Sequence, residues 1–376
     1  MLNTMFPTIN RESSMLGFGC MRFPTTPDGK IDESEAIRMI RHAIDNGVRY
    51  IDTAYPYHGG ESEIVIGKAL KDGYREKVIL TTKLPVWLVK THEDMMKFLD
   101  EQLKKLDTPY VDFYILHAMN NERMDAMQKL DYKRFYAEAI AQGKVRYPGF
   151  SFHDDAKAFL RILHDWDQWG MCQVQMNILD DENQATLEGI REAGRRGVGV
   201  VVMEPLRGGL LANPPVDVKA VYDAYAVRRS PVEWGFRYLY AMPEVITILS
   251  GMSTWAQVTD NLRIFDMAKR PTLTDEELAL YQKVKATYLA RTKTRCTGCK
   301  YCQPCPMGVQ IPRIFQGYDA AMLRADSSFK AGYAQIQADH ADASQCIHCR
   351  KCERVCPQHL PITRFLEEIH AASAAE

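Results

Sequence analysis

Eight of the ten cysteines in this chain lie in two short runs near its C-terminal end. Each run begins with three cysteines spaced three residues apart, which places three thiolates on one tight turn. That arrangement can hold three corners of an iron–sulfur cube. A fourth cysteine completes each run and precedes a proline. The runs are Cys296, Cys299, Cys302 and Cys305, and Cys346, Cys349, Cys352 and Cys356.

The two runs resemble the ligand pattern of bacterial-type two-cluster ferredoxins, in which the proline-flanked cysteine ligates the other cluster. The resemblance implies two 4Fe–4S clusters. Only two residues separate Cys302 from Cys305, where the bacterial pattern has three. Zinc is the alternative metal for these cysteines, although zinc ribbons lack the third and fourth cysteines at these offsets. The expected ligand sets are Cys296, Cys299, Cys302 and Cys356 for one cluster, and Cys346, Cys349, Cys352 and Cys305 for the other.

A second group of reactive residues lies at or just after the ends of strand-like apolar runs: Asp52, Tyr57, Lys83 and His117. Each alone has an ordinary explanation as a cap, a loop or solvated residue, or a core histidine. Together they form a proton-delivery unit. A tyrosine has a pKa near ~10, which a buried lysine would lower, while an aspartate fixes the lysine and a histidine binds the reacting oxygen. Such a unit protonates a carbonyl oxygen while a nicotinamide supplies hydride.

The elements that must position these residues alternate between strands and amphipathic helices over the first 270 residues. Continuous apolar runs such as VGVVVM are typical of parallel strands buried on both faces. Eight strands, each followed by a helix, predict a (β/α)₈ barrel. A doubly wound open sheet is the alternative, but no G-x-G-x-x-G follows the early strands. The predicted strands are Met15–Met21, Val48–Thr53, Val78–Lys83, Val111–Leu116, Val145–Phe150, Cys172–Met176, Val198–Met203 and Val245–Leu249.

The domain organisation follows from these patterns. We expect an α/β fold with the barrel over 1–270, a connector helix over 271–292 and a small α-helical ferredoxin-like domain over 293–376. The 376 residues carry a formal net charge of -1, which gives no indication of nucleic-acid binding. No apolar run approaches the ~18 residues of a membrane span, and the N-terminus shows no signal pattern. Cluster-ligating cysteines need a reducing compartment, so a cytoplasmic location is expected.

The barrel residues occur in segments that resemble the aldo–keto reductase family: Ile51 to Tyr57, Glu61 to Glu63, Thr81 to Lys83 and Asp112 to His117. The resemblance covers roughly residues 12–290, and the whole arrangement is similar to a microbial subgroup with a C-terminal ferredoxin-like domain. It implies an enzyme that reduces a carbonyl, or oxidises an alcohol, with NADPH or NADH. Tyr57 would be the general acid, tuned by Lys83 and Asp52, and His117 would orient the substrate.

The same resemblance implies a nicotinamide site further along the barrel. Ser151 and Gln173 match positions that bind the carboxamide, Met203 replaces the aromatic residue that stacks on the nicotinamide ring, and Leu206 and Gly208 belong to the loop over the pyrophosphate. On the adenine side, Asn261 matches the asparagine of the family pattern. The lysine and arginine that bind the 2′-phosphate align with Gly251 and Gln257. We therefore expect no strong preference for NADPH over NADH.

Three functional hypotheses remain open from the sequence. The leading one is a reductase of a small-molecule carbonyl substrate whose two clusters transfer electrons, with a ferredoxin or other redox partner. The second is a nicotinamide-binding redox sensor or electron carrier with little carbonyl turnover. The third is a reductase with purely structural clusters. The four intact barrel residues Asp52, Tyr57, Lys83 and His117 favour an enzyme.

Overall fold

A computed structural model describes residues 1–7, 9, 11–296, 298, 300–356 and 358–374. The chain forms two compact units. The first comprises Met1–Gly208 and Val232–Leu273, and the second comprises Gly209–Pro231 and Thr274–Glu376. Each unit is therefore built from two separate stretches of sequence.

Eight parallel strands of the first unit close into a barrel, and their order around the barrel follows their order in the chain. Each of the eight predicted strands has its counterpart here, and the predicted barrel is confirmed. A two-stranded antiparallel sheet, formed by β1 and β2, precedes the barrel and was not predicted. The strands are β1 Asn3–Phe6, β2 Arg11–Ser14, β3 Leu16–Gly19, β4 Tyr50–Asp52, β5 Ile79–Leu84, β6 Val111–Met119, β7 Val145–Phe152, β8 Met171–Gln175, β9 Gly199–Met203 and β10 Val245–Ser250.

The helices begin and end where the sequence has capping residues. Asp32 accepts a hydrogen bond from Glu35 N at the start of the first helix, and Thr91, Thr254 and Thr274 form capping boxes. The helices are α1 Glu33–Asp45, α2 Ser62–Ala69, α3 His92–Leu106, α4 Asn121–Lys129, α5 Tyr132–Ala141, α6 Ala156–Asp165, α7 Thr186–Arg195, α8 Val216–Asp223, α9 Pro231–Tyr240, α10 Trp255–Ile264, α11 Asp275–Ala290, α12 Ile311–Arg324, α13 Ser328–Ala338, α14 Lys351–Arg354 and α15 Ile362–Ala374.

The two ends of the barrel differ in chemistry. At the N-terminal end, Phe6 of β1 is fully buried and its ring lies 5.0 Å from that of Phe113. Beside it the buried carboxylate of Asp112 accepts hydrogen bonds from Arg75 (3.0 Å) and Leu80 N (2.9 Å), and it also pairs with Arg11. Such a closed network stabilises the fold. The reactive residues predicted from sequence occupy the opposite, C-terminal end, where barrel enzymes carry their active sites.

The second unit has its own apolar core. Val309, Phe315 of α12, Ile336 of α13 and Ile369 of α15 are buried together, and the described cysteines of both runs except Cys349 pack against this core. The stretch between the cysteine runs, expected to be helical, contains α12 and α13. In the described residues of the chain, no helix has the length and apolar character needed to cross a membrane.

Candidate active site and cysteine cavities

A buried ion pair forms the centre of the candidate active site. Lys83, on β5, donates hydrogen bonds of 2.8 Å to each carboxylate oxygen of Asp52, at the end of β4, and one of 2.6 Å to the carbonyl oxygen of Thr53. Burial lowers the pKa of Lys83, but the Asp52 carboxylate and Tyr57 together outweigh burial, and the pKa is raised. The lysine is therefore a fixed positive charge, held by all three of its N–H donors.

Tyr57 lies beside this charge, with Lys83 Nζ 4.8 Å from the centre of its ring. Lys83 lowers the pKa of Tyr57 as expected, but burial raises it by more, so the net pKa of Tyr57 is above its ordinary value. The sequence pattern indicated the neighbouring lysine, but it could not indicate how deeply the Tyr57 side chain is buried. Tyr57 therefore keeps its proton near neutral pH, which is the state that a proton donor requires.

His58, the residue after the tyrosine, fixes the turn that presents Tyr57. Its backbone has φ 51°, a left-handed conformation that is uncommon for a residue with a side chain. Its Nε2 accepts a hydrogen bond of 3.1 Å from Phe23 N, and the two rings stack 5.4 Å apart. Burial lowers the pKa of His58, which keeps Nε2 unprotonated as an acceptor. The sequence reasoning did not identify this residue.

His117, on β6, completes the group. Its ring lies edge-on to that of Tyr57, with 6.1 Å between centroids, and 5.1 Å from the Trp87 ring. Burial lowers its pKa to about 2, helped by the positive charges of Lys83 and Arg123. The imidazole is therefore neutral at physiological pH. Its buried Nδ1 has no hydrogen-bond partner among the described residues, so it is available to a bound group.

A buried network of polar side chains is hydrogen-bonded to the backbone of Lys83. Glu63 Oε1 accepts hydrogen bonds of 2.6 Å from Thr82 and from Gln102. Gln102 Nε2 also donates to the carbonyl oxygen of Lys83 (3.1 Å), and its Oε1 accepts from the Tyr114 hydroxyl at 2.6 Å. Glu63 and Thr82 belong to the segments that suggested the family. Gln102 lies on α3 and Tyr114 on β6, and no local motif marks either of them.

Three of the expected nicotinamide contacts meet at the C-terminal ends of β7, β8 and β9. Ser151 accepts a hydrogen bond of 2.7 Å from Ala118 N, the residue after His117. Gln173 Nε2 lies 3.9 Å from the sulfur of Met203, and its buried Oε1 has no hydrogen-bond partner among the described residues. An unsatisfied buried amide oxygen is costly, and it fits a carboxamide N–H donor.

The residues expected at the pyrophosphate lie in an irregular turn after β9. Gly208 has φ 64°, and the side chain of Leu206 packs closely over Gly235 of α9. Arg207 of this turn pairs at 3.2 Å with Asp180, which lies in the loop after β8.

The side chains expected to contact the adenine side of the cofactor already make hydrogen bonds or ion pairs within the protein. Asn261 donates to the Ser250 hydroxyl at 3.0 Å. Gln257 Oε1 accepts from Ser253 N (2.7 Å) and Thr254 N (3.2 Å), so its side chain caps α10. Arg263, a cation further along α10, is bound to Asp260 and Glu233.

Gly251 leaves space for a different cation on this side. A Cβ built on Gly251 would lie 3.3 Å from both Cβ and Cδ of Arg22. The stem of that arginine, which comes from the loop after β3, therefore crosses the position of the family's lysine. Arg22 is exposed, and Ser253 donates to its carbonyl oxygen at 2.8 Å.

The cysteine runs line two cavities in the second unit. The larger, about 210 Å³, is lined by five cysteines: Cys305, Cys346, Cys349, Cys352 and Cys302, the last of which also lines the other cavity. All four residues expected to share one cluster, Cys305, Cys346, Cys349 and Cys352, are among them, so the residues present fit that group. Among the described residues, the cysteines do not form a group of three or more side chains arranged to hold a single metal ion.

The second cavity is narrower, about 20 Å³, and is lined by Cys296, Cys302 and Cys356. These are three of the four residues expected to hold the other cluster, and the fourth, Cys299, lies outside the described residues. Cys356 thus faces the first cysteine run, and Cys305 faces the second. This grouping is the one in which the proline-flanked cysteines exchange sites.

Residues 15–286 match the Aldo/keto reductase family. The chain belongs to this family. Residues 295–360 match the 4Fe-4S dicluster domain, which favours iron–sulfur clusters over zinc in the cysteine runs. The protein is thus an aldo/keto reductase-like oxidoreductase with a C-terminal 4Fe–4S dicluster domain.

Three relatives are between 24% and 28% identical to this chain over the aligned residues. The probable aldo-keto reductase 1 of Glycine max is 27% identical over 219 residues, which cover 54% of this chain and 59% of that protein. The uncharacterized oxidoreductase YqkF of Bacillus subtilis is 24% identical over 312 residues, 73% of this chain and 94% of that protein. An aldo-keto reductase from Bacillus halodurans, solved in its holo form, is 28% identical with a TM-score of 0.64, covering 76% of this chain and 96% of that one.

Proposed function

We propose that this aldo/keto reductase reduces a small-molecule carbonyl, or oxidises the corresponding alcohol, with NADPH or NADH. The observation that carries the proposal is the buried Lys83–Asp52 pair, which holds a positive charge 4.8 Å from the ring of a protonated tyrosine. A bound nicotinamide supplies or accepts the hydride. Ser151, Gln173 and Met203 would hold its carboxamide end, with Leu206, Gly208, Gln257 and Asn261 along the remainder.

The residues of the chain account for the movement of the proton. Tyr57 donates its proton to the substrate oxygen as negative charge develops there, and the fixed charge of Lys83 stabilises the tyrosinate that remains. The neutral His117 orients the same oxygen by a hydrogen bond. Asp52 keeps Lys83 in position and charged.

The test of this proposal is an anaerobic assay of NADPH and NADH consumption against a panel of aldehydes and ketones. We expect turnover with at least one of them. Measured nicotinamide binding with no turnover across the panel, and none in the alcohol-oxidising direction, would instead support the redox-sensor hypothesis.

We propose further that the cysteine runs hold two 4Fe–4S clusters that exchange electrons with a redox partner. When bound, such clusters transfer one electron at a time. The walls of the larger cavity reach the surface, because Tyr301 and Ile347 are 67% and 60% exposed. Residues 293–307 and 346–356 contain six lysines and arginines against one glutamate. An exposed, cationic rim favours electron exchange with an acidic protein over a purely structural role.

The structure also sharpens the expectation for the cofactor preference. Since Gln257 caps a helix and Arg263 is bound to two acidic residues, we infer that Arg22 is a cation that would meet a 2′-phosphate. An exposed ion pair contributes about 0.2–1 kcal/mol. We therefore expect NADPH to bind no more than roughly fivefold more tightly than NADH, and Arg22→Ala to remove that difference. Both dissociation constants should be measured by fluorescence titration at matched ionic strength.

Arg263→Ala is the matched control, because its guanidinium is already bound to Asp260 and Glu233. It should leave both constants unchanged. A preference for NADPH that survives in Arg22→Ala and falls in Arg263→Ala would contradict the assignment.

A further inference from the structure

Arg123 lies at the entrance of the candidate active site and is tied to the strand that carries His117. It is the third residue of α4, and its guanidinium donates to the carbonyl oxygen of Ala118. The N–H of Ala118 in turn donates to Ser151, an expected nicotinamide contact. The arginine is therefore anchored one residue from a catalytic side chain.

An aromatic wall connects Arg123 to the reaction centre. The guanidinium carbon lies 5.3 Å from the centre of the Trp87 ring, a cation–π distance, and Trp87 itself lies 5.1 Å from the ring of His117. Trp87 is 43% exposed, which is unusual for so large an apolar side chain. One side of the site entrance is thus a flat aromatic surface with a positive charge beside it.

No described acidic residue neutralises this positive charge. Among the residues that the structure describes, Arg123 has no acidic group within ion-pair distance, and its recorded side-chain contacts are Ala118 O and Trp87. Lys83 is balanced by Asp52. His117 and His153 are neutral because burial lowers the pKa of each, and the charge of Arg123 lowers both further. The group as a whole carries about one net positive charge.

We propose that Arg123 and Trp87 form a subsite for a carboxylate on the substrate. The preferred substrates are then aldehydes or ketones that carry a carboxylate a few bonds from the carbonyl. The planar guanidinium suits a carboxylate by paired hydrogen bonds, and Trp87 would support the carbon chain or ring between the two groups. The inference rests on the proposed carbonyl chemistry and names the class of compound that it acts on.

The test compares 4-carboxybenzaldehyde with its methyl ester, methyl 4-formylbenzoate, which has the same ring and aldehyde without the charge. We expect a higher kcat/KM for the acid. Because a hydrogen bond to a charged group contributes about 1.5–3 kcal/mol, Arg123→Met should lower kcat/KM for the acid by roughly ten- to a hundredfold, mainly through KM. The ester should change by less than about threefold, and Arg123→Lys should restore part of the loss.

Arg134→Met is the matched control, since Arg134 lies on the exposed surface of α5 and pairs with Glu138. A second readout is independent of turnover: calorimetric binding of terephthalate to the complex with oxidised nicotinamide should weaken in Arg123→Met and not in Arg134→Met. Equal losses for acid and ester, or unchanged terephthalate binding in Arg123→Met, would overturn the subsite. Turnover of neither aldehyde with intact terephthalate binding would reject the proposed carbonyl chemistry and leave the anion site standing.

Discussion

Tyr57→Phe should abolish carbonyl reduction while leaving the dissociation constant of the nicotinamide nearly unchanged. The hydroxyl is required only as the substrate oxygen takes up its proton, so its removal raises the barrier of that step without affecting cofactor binding. General-acid catalysis typically contributes about 10²–10⁴ in rate. We expect kcat to fall by that factor, measured at saturating cofactor, with cofactor binding followed by fluorescence titration.

Tyr55→Phe provides the control for this prediction. Tyr55 lies two residues earlier in the same loop, and its hydroxyl is 3.5 Å from Glu101 on the surface. This variant should retain wild-type turnover. If Tyr57→Phe keeps more than about a tenth of the wild-type kcat, the proton comes from elsewhere and the role of Tyr57 is wrong.

Cys356→Ala should remove the cluster that Cys296 helps to hold and leave the cluster beside its own neighbours in place. Two 4Fe–4S clusters correspond to about eight irons per chain. The motivation is the narrower cavity, where Cys356 lies with Cys296 and Cys302 and not with the rest of its run. Iron content of anaerobically prepared protein should fall to about four per chain.

Double variants identify which cluster is lost. Under the exchanged grouping, Cys356→Ala combined with Cys296→Ala removes ligands of one cluster and should retain about four irons. Cys356→Ala combined with Cys346→Ala removes ligands of both and should retain almost none. The reverse result would show that each run holds its own cluster, and stoichiometric zinc in place of iron would reject the clusters altogether.

The sequence predicted the barrel well because its strands are buried on both faces and therefore appear as continuous apolar runs. The β1–β2 hairpin gave no such pattern. Asn3–Phe6 and Arg11–Ser14 are mostly polar, and their contacts with the barrel end, such as the burial of Phe6 and the pairing of Arg11 with Asp112, are not visible in a local pattern.

Only those residues of the candidate site that lie in short sequence motifs could be predicted. Asp52, Tyr57, Lys83 and His117 have a recognisable spacing, and the structure places them together. Gln102, Trp87 and Arg123 reach the site from separate elements, and no local pattern marks them. The lowering effect of Lys83 on the pKa of Tyr57 could be predicted from the sequence. The burial of Tyr57, which raises the same pKa by more, could not be predicted.

Because the second unit consists of two stretches of sequence, its first stretch is synthesised before the residues that it packs against. Residues 209–231 carry Asp217, which pairs with Arg291 at 2.8 Å, and Arg229, which pairs with Glu277 at 3.3 Å. At a synthesis rate of about 5–20 residues per second, residue 291 follows residue 231 by roughly 3–12 s. During this interval the nascent chain displays Val218 and Tyr222 without the residues that later cover them. The cysteines expected to hold the clusters follow later still, so this first stretch waits for its partners in the chain before any cluster can be inserted.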